Sequence, residues 1–162
     1  MAGRIYHYGA ALTWRGNQGS GTRRYDDYGR EFDAQIDGKA LLIGSADPAF
    51  RGDPAWHSPE DLLLIALASC HMLSYLALCA CQGVAVTAYH DTAEGVMQTD
   101  ADGGGRFAGV VLQPSVMIND AEQLARANEL HATAHSVCYI ASSCNFPIEL
   151  RANVSVAAEP VP

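Results

Sequence analysis

Five cysteines are the residues of this chain with the greatest potential for chemistry: Cys70, Cys79, Cys81, Cys138 and Cys144. An odd number of cysteines does not predict a disulfide framework, and the first residues lack the apolar core of a signal peptide. We therefore expect a cytoplasmic protein, in which such cysteines are inert core residues, metal ligands or reactive thiols.

Two of the cysteines stand among small or polar residues, unlike a cysteine in an apolar core. Cys70 lies in the sequence ASCHM, within a long apolar segment, and Cys138 lies in HSVCY. Both are candidates for a reactive thiol. We interpret Cys79 and Cys81, at the Ala-rich end of the same apolar segment, as packing residues. Cys144 is a minor candidate for a resolving or accidentally reactive thiol.

Three histidines near these thiols allow two other chemistries. His131, His135 and Cys138 are spaced i, i+4 and i+7, which places them on one helix face where they could contribute ligands to zinc. The sequence offers no fourth ligand and no CxxC pair, so we expect no metal. A histidine could instead serve Cys70 as base in a hydrolase or transferase. His71, however, is adjacent to Cys70 on a helix and points about 100° away from it.

Composition and charge limit the classes of protein. The chain has 162 residues, 49% of them hydrophobic and 17% charged, which is typical of a globular domain with a core of its own. The net charge is -8, and the 10 Lys and Arg residues do not form a run. A nucleic-acid partner or an anionic membrane surface is therefore not expected.

A long apolar helix must position Cys70. Residues 62–81 contain no charged residue, Ser58 and Pro59 are favourable at a helix start, and Gly83 is favourable just after a helix end. A helix from Pro59 to about Gln82 would be roughly 36 Å long. Its polar residues and the absence of basic anchors favour the centre of a soluble fold over a membrane span.

Strands are expected on both sides of this helix. The predicted order is strands, long helix, hairpin, helix, strand, in one domain over residues 1–162. The segments are strands at 6–14, 30–36, 39–43, 84–97, 106–118 and 148–156, and a second helix from Asn119 or Asp120 to about Cys138. This pattern predicts an α+β fold in which mainly antiparallel sheets wrap the long central helix.

Two segments together resemble the OsmC/Ohr family of osmotically inducible and organic hydroperoxide resistance proteins. SPEDLL at residues 58–63, followed by ALASC at 66–70, is similar to the segment that carries the family's peroxidatic cysteine. HSVC at 135–138 is similar to the segment that carries its second cysteine. The two cysteines are 68 positions apart, as suits that family, and the predicted element order matches it over nearly the whole chain.

The resemblance implies a thiol peroxidase that reduces organic hydroperoxides, and hydrogen peroxide less well. Cys70 would be oxidised to a sulfenic acid, and Cys138 would condense with it to a disulfide. The resemblance also implies an external dithiol of the lipoyl type as reductant, an intertwined homodimer, and no metal or other cofactor.

The resemblance further implies an arginine, from the loop before the long helix, that pairs with a glutamate in the first turn of that helix. Arg51 and Glu60 are the best matches, and Arg51 would stabilise the Cys70 thiolate and hydrogen-bond a peroxide oxygen. Three other arginines are alternatives to Arg51: Arg23, Arg24 and Arg30.

Two positions depart from the family pattern. His71 follows Cys70 where the family often has an aromatic residue, and Tyr139 follows Cys138 where many members have proline. The first departure bears on the shape and polarity of the pocket. The second bears on the geometry of the resolving step.

The predicted helix also restricts how the site can be built. Glu60 and Cys70 are ten residues apart, which separates them by about 15 Å along an unbroken helix and by about 80° around it. We therefore expect a homodimer in which Arg51 and Glu60 of one subunit approach Cys70 of the other. Two other functions stay open: a hydrolase or transferase with Cys70 as nucleophile, and a non-catalytic protein that binds an apolar small molecule in the same cleft.

Overall fold

The computed structural model describes residues 3–157. The chain forms two compact units, one up to Leu63 and one from Leu64 onward, so that the division falls inside the long helix. The units are described separately below. The single domain over residues 1–162 stays a prediction.

The first unit contains a three-stranded antiparallel sheet. Its strands are β1 (Ala11–Trp14), β2 (Phe32–Gln35) and β3 (Leu42–Gly44), in the order β1-β2-β3. The predicted hairpin between β2 and β3 is confirmed, and Gly38 in its turn has a φ of 72°, a conformation that glycine adopts without strain. A short 3-10 turn, Pro48–Phe50, lies in the loop that follows β3.

Helix α1 (Pro59–Cys81) has the predicted boundaries within one residue. The backbone N–H of Ser58 donates to Oδ2 of Asp61 at 2.9 Å, and the N–H of Asp61 donates to Oγ of Ser58 at 3.2 Å. This reciprocal capping box satisfies two donors at the helix start, with aspartate in the place where glutamate is usual. Gly83 follows the helix end with a φ of 74°.

One stripe of α1 is buried in the second unit, and another is exposed. Leu67, His71, Tyr75 and Cys79 recur every fourth residue and form the buried stripe. Leu73 is 63% exposed, and only 22% of the most apolar 18-residue stretch of the helix is buried within the chain. By length and composition α1 could also cross a membrane. The interpretation of Cys81 as a packing residue is wrong, because it lies on the exposed side.

The second unit contains two three-stranded sheets, ordered β4-β7-β9 and β5-β6-β8. Three predicted strands are each divided in two, and the halves belong to different sheets. The strands are β4 (Val86–Asp91), β5 (Glu94–Thr99), β6 (Gly105–Leu112), β7 (Pro114–Ile118), β8 (Ile148–Leu150) and β9 (Asn153–Val156). The described pairs are antiparallel except β6 with β8 and β7 with β9, which are parallel.

The second predicted helix is also divided. Asp120 caps a 3-10 turn, Ala121–Gln123, which leads into α2 (Leu124–Val137). Cys138 then separates α2 from a short helix, α3 (Tyr139–Ser143). Helix α2 packs on α1 in a hydrophobic cluster that includes Tyr75 and Leu130. A second cluster, on the side of β6 and β8, surrounds the two cysteines of interest.

Candidate active site

The side chains of Cys70 and Cys138 are in contact in the second unit. Cys70 lies in the middle of α1 and is half-buried, whereas Cys138 is completely buried at the junction of α2 and α3. The two thiol groups are close enough for Cys70 to act on the pKa of Cys138. Both cysteines pack in one hydrophobic cluster with Leu67 of α1 and with Val110 and Leu112 of β6. The fold thus brings together the two cysteines that the sequence analysis selected.

The Cys138 thiol keeps its proton at neutral pH. Burial, and after it the interaction with Cys70, raises the pKa of Cys138 to about 11, although the N–H groups of Ala141 and Ile140 act in the opposite direction. A thiol is a much poorer nucleophile than its thiolate. Cys138 therefore suits the role of the proton-bearing partner better than that of the group that first attacks a substrate.

Local backbone structure explains how Cys138 is presented to α1. Cys138 is extended, with φ -72° and ψ 110°, and its sulfur accepts a hydrogen bond from the N–H of Ala141 at 3.4 Å. Tyr139 is the first residue of α3, the helix position at which proline is most favourable, and its side chain is 79% exposed. This backbone is therefore compatible with tyrosine as well as with proline after the cysteine.

His71 faces α2 and not a reacting group. Its Nε2 atom is hydrogen-bonded to Nδ1 of His131 at 3.2 Å, and the two side chains are 0% and 2% exposed. Tyr75 stacks on His131 with ring centroids 3.8 Å apart. This buried histidine pair was not predicted from the sequence, which suggested the histidines only as bases or metal ligands. No spacing signal could have found it, because the two residues are 60 positions apart.

We expect acid to destabilise the protein through this pair. Burial lowers the pKa of His71 and of His131 from 6.5 to about 4, and the charge of His135 lowers that of His71 further. Between these two pH values the unfolded chain binds more protons, so stability falls as the pH drops from about 6.5 toward 4. The midpoint of thermal unfolding should fall by roughly 10 °C over this window.

The matched control for this acid effect is the double variant His71→Leu/His131→Leu, which lacks both titrating imidazoles. Its unfolding midpoint, measured by circular dichroism, should depend less steeply on pH than that of the wild type over the same window. Equal pH dependence in both proteins would show that the pair does not control the acid stability.

The row His131, His135 and Cys138 does not form a ligand set. His131 is hydrogen-bonded to His71 of α1, and Cys138 lies close to Cys70 of the same helix. Within residues 3–157, no group of three or more His, Cys, Asp or Glu side chains is arranged to hold a metal ion. The predicted absence of a metal site therefore stays a prediction, and no residue of this row is assigned a ligand role.

Arg51 and Glu60 belong to the first unit and are not paired with each other in the described part of the chain. Arg51 ends the 3-10 turn with a φ of 67°, a left-handed conformation that is unfavourable for a residue other than glycine. A hydrogen bond from Arg24 is the main cause that lowers the pKa of Asp26, and the charge of Arg51 contributes to it. The Oε2 atom of Glu60 has no hydrogen-bond partner among residues 3–157.

Two of the three alternative arginines are already engaged. The guanidinium of Arg30 lies 4.4 Å from the ring centre of Tyr25 and 4.0 Å from that of Tyr28, and it donates hydrogen bonds to both backbone carbonyls. Arg24 forms an ion pair with Asp26 at 3.2 Å. Arg24 and Arg30 are thus both engaged by contacts within the first unit.

Comparison with known proteins identifies the family. The family model described as OsmC-like protein matches residues 52–153, which include Cys70, Cys138 and Glu60. No curated protein matches the chain.

Solved structures give the same result. An OsmC-like protein of unknown function from Vibrio cholerae is 28% identical, with a TM-score of 0.81, and the match covers 92% of this chain and 100% of that one. An organic hydroperoxide resistance protein from Legionella pneumophila is 19% identical, with a TM-score of 0.66 over 95% of this chain and 100% of its own. One from Elizabethkingia anophelis is 18% identical, with a TM-score of 0.65 over 95% and 99%. The chain belongs to the family of OsmC-like proteins.

Proposed function

We propose that the protein is a cysteine-based peroxidase that reduces organic hydroperoxides at the expense of an external dithiol. The single observation that carries this proposal is the contact between the thiols of Cys70 and Cys138. Two relatives of the same fold are named as organic hydroperoxide resistance proteins. We further propose that it acts in the cytoplasm, where a dithiol reductant is available.

The reaction would proceed in three steps. The Cys70 thiolate attacks the distal oxygen of the hydroperoxide, the O–O bond breaks, and the alkoxide takes up a proton to leave as an alcohol. The sulfenic acid formed on Cys70 is then attacked by Cys138, so that an S–S bond forms and water leaves with the Cys138 proton. An external dithiol of the lipoyl type restores both thiols by two exchange steps and is itself oxidised to a disulfide.

Different surroundings of the two sulfurs support this division of roles. Cys138 is buried and remains protonated at neutral pH, so it is held in reserve until Cys70 has been oxidised. Cys70 is the half-buried member of the pair and is the one that a substrate could reach. The packing of both cysteines in one cluster supports a resolving role of Cys138, because its sulfur would lie next to the sulfur that it must attack.

A cavity of about 280 Å³ lies beside the Cys70 segment of α1, although Cys70 itself does not line it. Ser69, the residue before Cys70, lines it together with Ile65, Ala68 and Met72 of α1 and residues 89–91 of β4. Its mainly apolar wall would favour an organic tail over a small polar peroxide. The same cavity is the feature on which the non-catalytic alternative, a protein that only binds an apolar molecule, would rest.

A homodimer is part of the proposal. Ile65 and Leu73 of α1 are 50% and 63% exposed, although they lie on the most apolar helix of the chain. A second copy of the chain would bury this surface and could bring its Arg51 and Glu60 to Cys70, where a guanidinium would stabilise the thiolate. Within that pair, Glu60 would orient Arg51 by a bidentate contact.

Two of the three histidines that could act as the base of the hydrolytic alternative are unavailable for that role. His71 and His131 are hydrogen-bonded to each other in the core, and burial lowers the pKa of each to about 4, far from the pH at which a general base works best. We therefore do not propose hydrolysis. Turnover of cumene hydroperoxide with a dithiol, compared with cleavage of an acyl ester, would separate the two classes.

Mass spectrometry of the oxidised protein tests the proposed function. We expect one equivalent of cumene hydroperoxide per chain to produce a Cys70–Cys138 disulfide, because these two sulfurs are already in contact. Non-reducing peptide mapping would identify the pair. The variant Cys144→Ser is the matched control and should form the same disulfide. A disulfide that contains another cysteine, or intact thiols after the alcohol has formed, would contradict the mechanism.

A further inference from the structure

The two helices that carry the thiols are linked in the core by the histidine pair. His71 directly follows Cys70 on α1, and His131 of α2 precedes Cys138, the residue just after the end of α2, by seven positions. The hydrogen bond between Nε2 of His71 and Nδ1 of His131 measures 3.2 Å, and the rings are 7° from parallel. Each thiol is thus a short, stiff length of helix away from one end of this link.

We propose that His71 and His131 are positioning residues that set the register of α1 against α2 and thereby hold Cys70 and Cys138 in contact. This inference rests on the proposed peroxidase function, since its consequence is the rate at which Cys138 closes the disulfide. Neither histidine touches the reacting sulfurs through a hydrogen bond in the described part of the chain, so neither is a catalytic residue.

Burial makes the link geometrically specific. The two rings are 0% and 2% exposed, so water cannot replace the hydrogen bond if α1 and α2 shift relative to each other. An unmade hydrogen bond between buried polar groups is costly, whereas apolar contacts tolerate many sliding positions. A neutral pair of imidazoles shares one proton between the facing nitrogens, so the bond forms at one alignment of the two helices.

Unpartnered nitrogens argue that the pair is not simply core packing. Nδ1 of His71 and Nε2 of His131 are buried and have no hydrogen-bond partner among residues 3–157. Two leucines of similar volume would fill this space without burying unpaired polar atoms. A polar link that costs stability is expected where it fixes one arrangement of helices, as a buried asparagine does in coiled coils.

Titratable neighbours of the pair lie on three elements. His135 of α2 is close enough to His71 for its charge to act on that ring. Tyr75 of α1 stacks on His131, and its hydroxyl donates to the carbonyl of Ala127 at 3.1 Å. Tyr89 of β4 packs near Tyr75, with ring centroids 6.1 Å apart. Tyr75 therefore provides a second hydrogen bond between α1 and α2 that does not involve the histidine nitrogens, and its hydroxyl serves as a control.

The test separates the two chemical steps in single-turnover experiments. His131→Phe keeps an aromatic ring to stack on Tyr75 but removes the hydrogen bond to His71. We expect the rate of Cys70 oxidation, measured by dimedone trapping, to stay within about twofold of the wild-type rate. The rate of disulfide closure should fall by at least about tenfold, because misplacement of a reacting group by an ångström can reduce a rate by more than that. His131→Asn, which keeps a hydrogen-bonding atom at the Nδ1 position, should recover most of the closure rate.

Two further variants separate the effect of the histidine pair from that of other contacts between α1 and α2. Tyr75→Phe removes the other hydrogen bond between the helices and should close its disulfide at the wild-type rate. If His131→Phe does not fold, His71→Leu tests the same link from α1. The positioning role would be overturned if a folded variant without the histidine pair closed its disulfide at the wild-type rate, or if Tyr75→Phe slowed closure equally. Neither result would contradict the proposed function. A wild-type protein that forms no Cys70–Cys138 disulfide would overturn the proposed function and this inference with it.

Discussion

Replacement of Cys70 by serine should reduce hydroperoxide turnover to background, because a serine hydroxyl is not ionised at neutral pH and is not oxidised to a sulfenic acid. Replacement of Cys138 by serine should instead stop the reaction after the first step. One equivalent of alcohol per chain would form, and Cys70 would remain as a sulfenic acid that dimedone traps. Single-turnover assays with mass spectrometry would measure both results.

The assay must exclude a bypass through the reductant. A small dithiol can reduce a sulfenic acid directly, so Cys138→Ser could retain steady-state turnover in a large excess of dithiothreitol. Oxidation with one equivalent of hydroperoxide and no reductant avoids this effect. Cys144→Ser serves as the control, because Cys144 is a half-buried thiol outside the Cys70–Cys138 contact, and it should keep full activity. Full activity of Cys70→Ser would disprove the mechanism.

The proposed order in which the two thiols react is based on their different environments. Burial, and after it the interaction with Cys70, raises the pKa of Cys138 well above its usual value, so this thiol is protonated near neutral pH. If Cys138 attacked the peroxide first, its variants would lose oxidation and not only closure. The sulfenic acid trapped in Cys138→Ser therefore reports which of the two sulfurs reacts first.

Sequence signals were sufficient where structure depends on neighbouring residues. The capping box of Ser58 and Asp61 and the glycine at 83 define the ends of α1, and all three act within one helical turn. The hairpin between β2 and β3 is likewise specified by its own turn. These elements were predicted with boundaries that the structure confirms to within a few residues.

Long-range contacts explain the elements that were predicted less well. The segments 84–97 and 106–118 read as single strands, but each bends between two sheets. At that bend the N–H of Gln113 donates to Oδ1 of Asp91 at 2.8 Å, and Pro114, which has no N–H, begins the next strand. The partners Asp91 and Gln113 are 22 positions apart, so segment 84–97 alone does not contain the signal for its break, whereas Pro114 is a local signal for the break in segment 106–118.

The residues of the candidate site also differ in whether the sequence contains a local signal for them. Cys70 and Cys138 could be selected because their flanking residues resemble one family, whereas the histidine pair could not, since no local pattern distinguishes a buried His71 from an exposed one. The roles proposed for Arg51 and Glu60 would depend on a second chain, and a sequence contains no direct record of which surfaces of two copies meet. These two residues therefore require an experiment that detects sharing between chains.

Helix α1 supplies the reason to expect that sharing. It is continuous from Pro59 to Cys81, so Glu60 and Cys70 are about 15 Å apart along its axis and face directions about 80° apart. One chain cannot place its own Glu60 beside its own Cys70 on such a helix. By contrast, Cys70 and Cys138 are in contact within one chain. The proposed dimer thus predicts that the thiols belong to one subunit and the Arg51–Glu60 pair to the other.

Mixed dimers should distinguish this arrangement from a site built by one chain. Inactive Cys70→Ser and inactive Arg51→Ala proteins would be unfolded together and refolded, so that about half of the dimers contain one chain of each kind. Each mixed dimer would have one intact site, and about a quarter of wild-type activity should return. A mixture of Cys70→Ser with Cys138→Ser, oxidised without reductant, is the matched control and should form no Cys70–Cys138 disulfide, because both thiols of a site come from the same chain. If native mass spectrometry shows that dimers of one Cys70→Ser chain and one Arg51→Ala chain have formed, but no activity returns, each chain builds its own site.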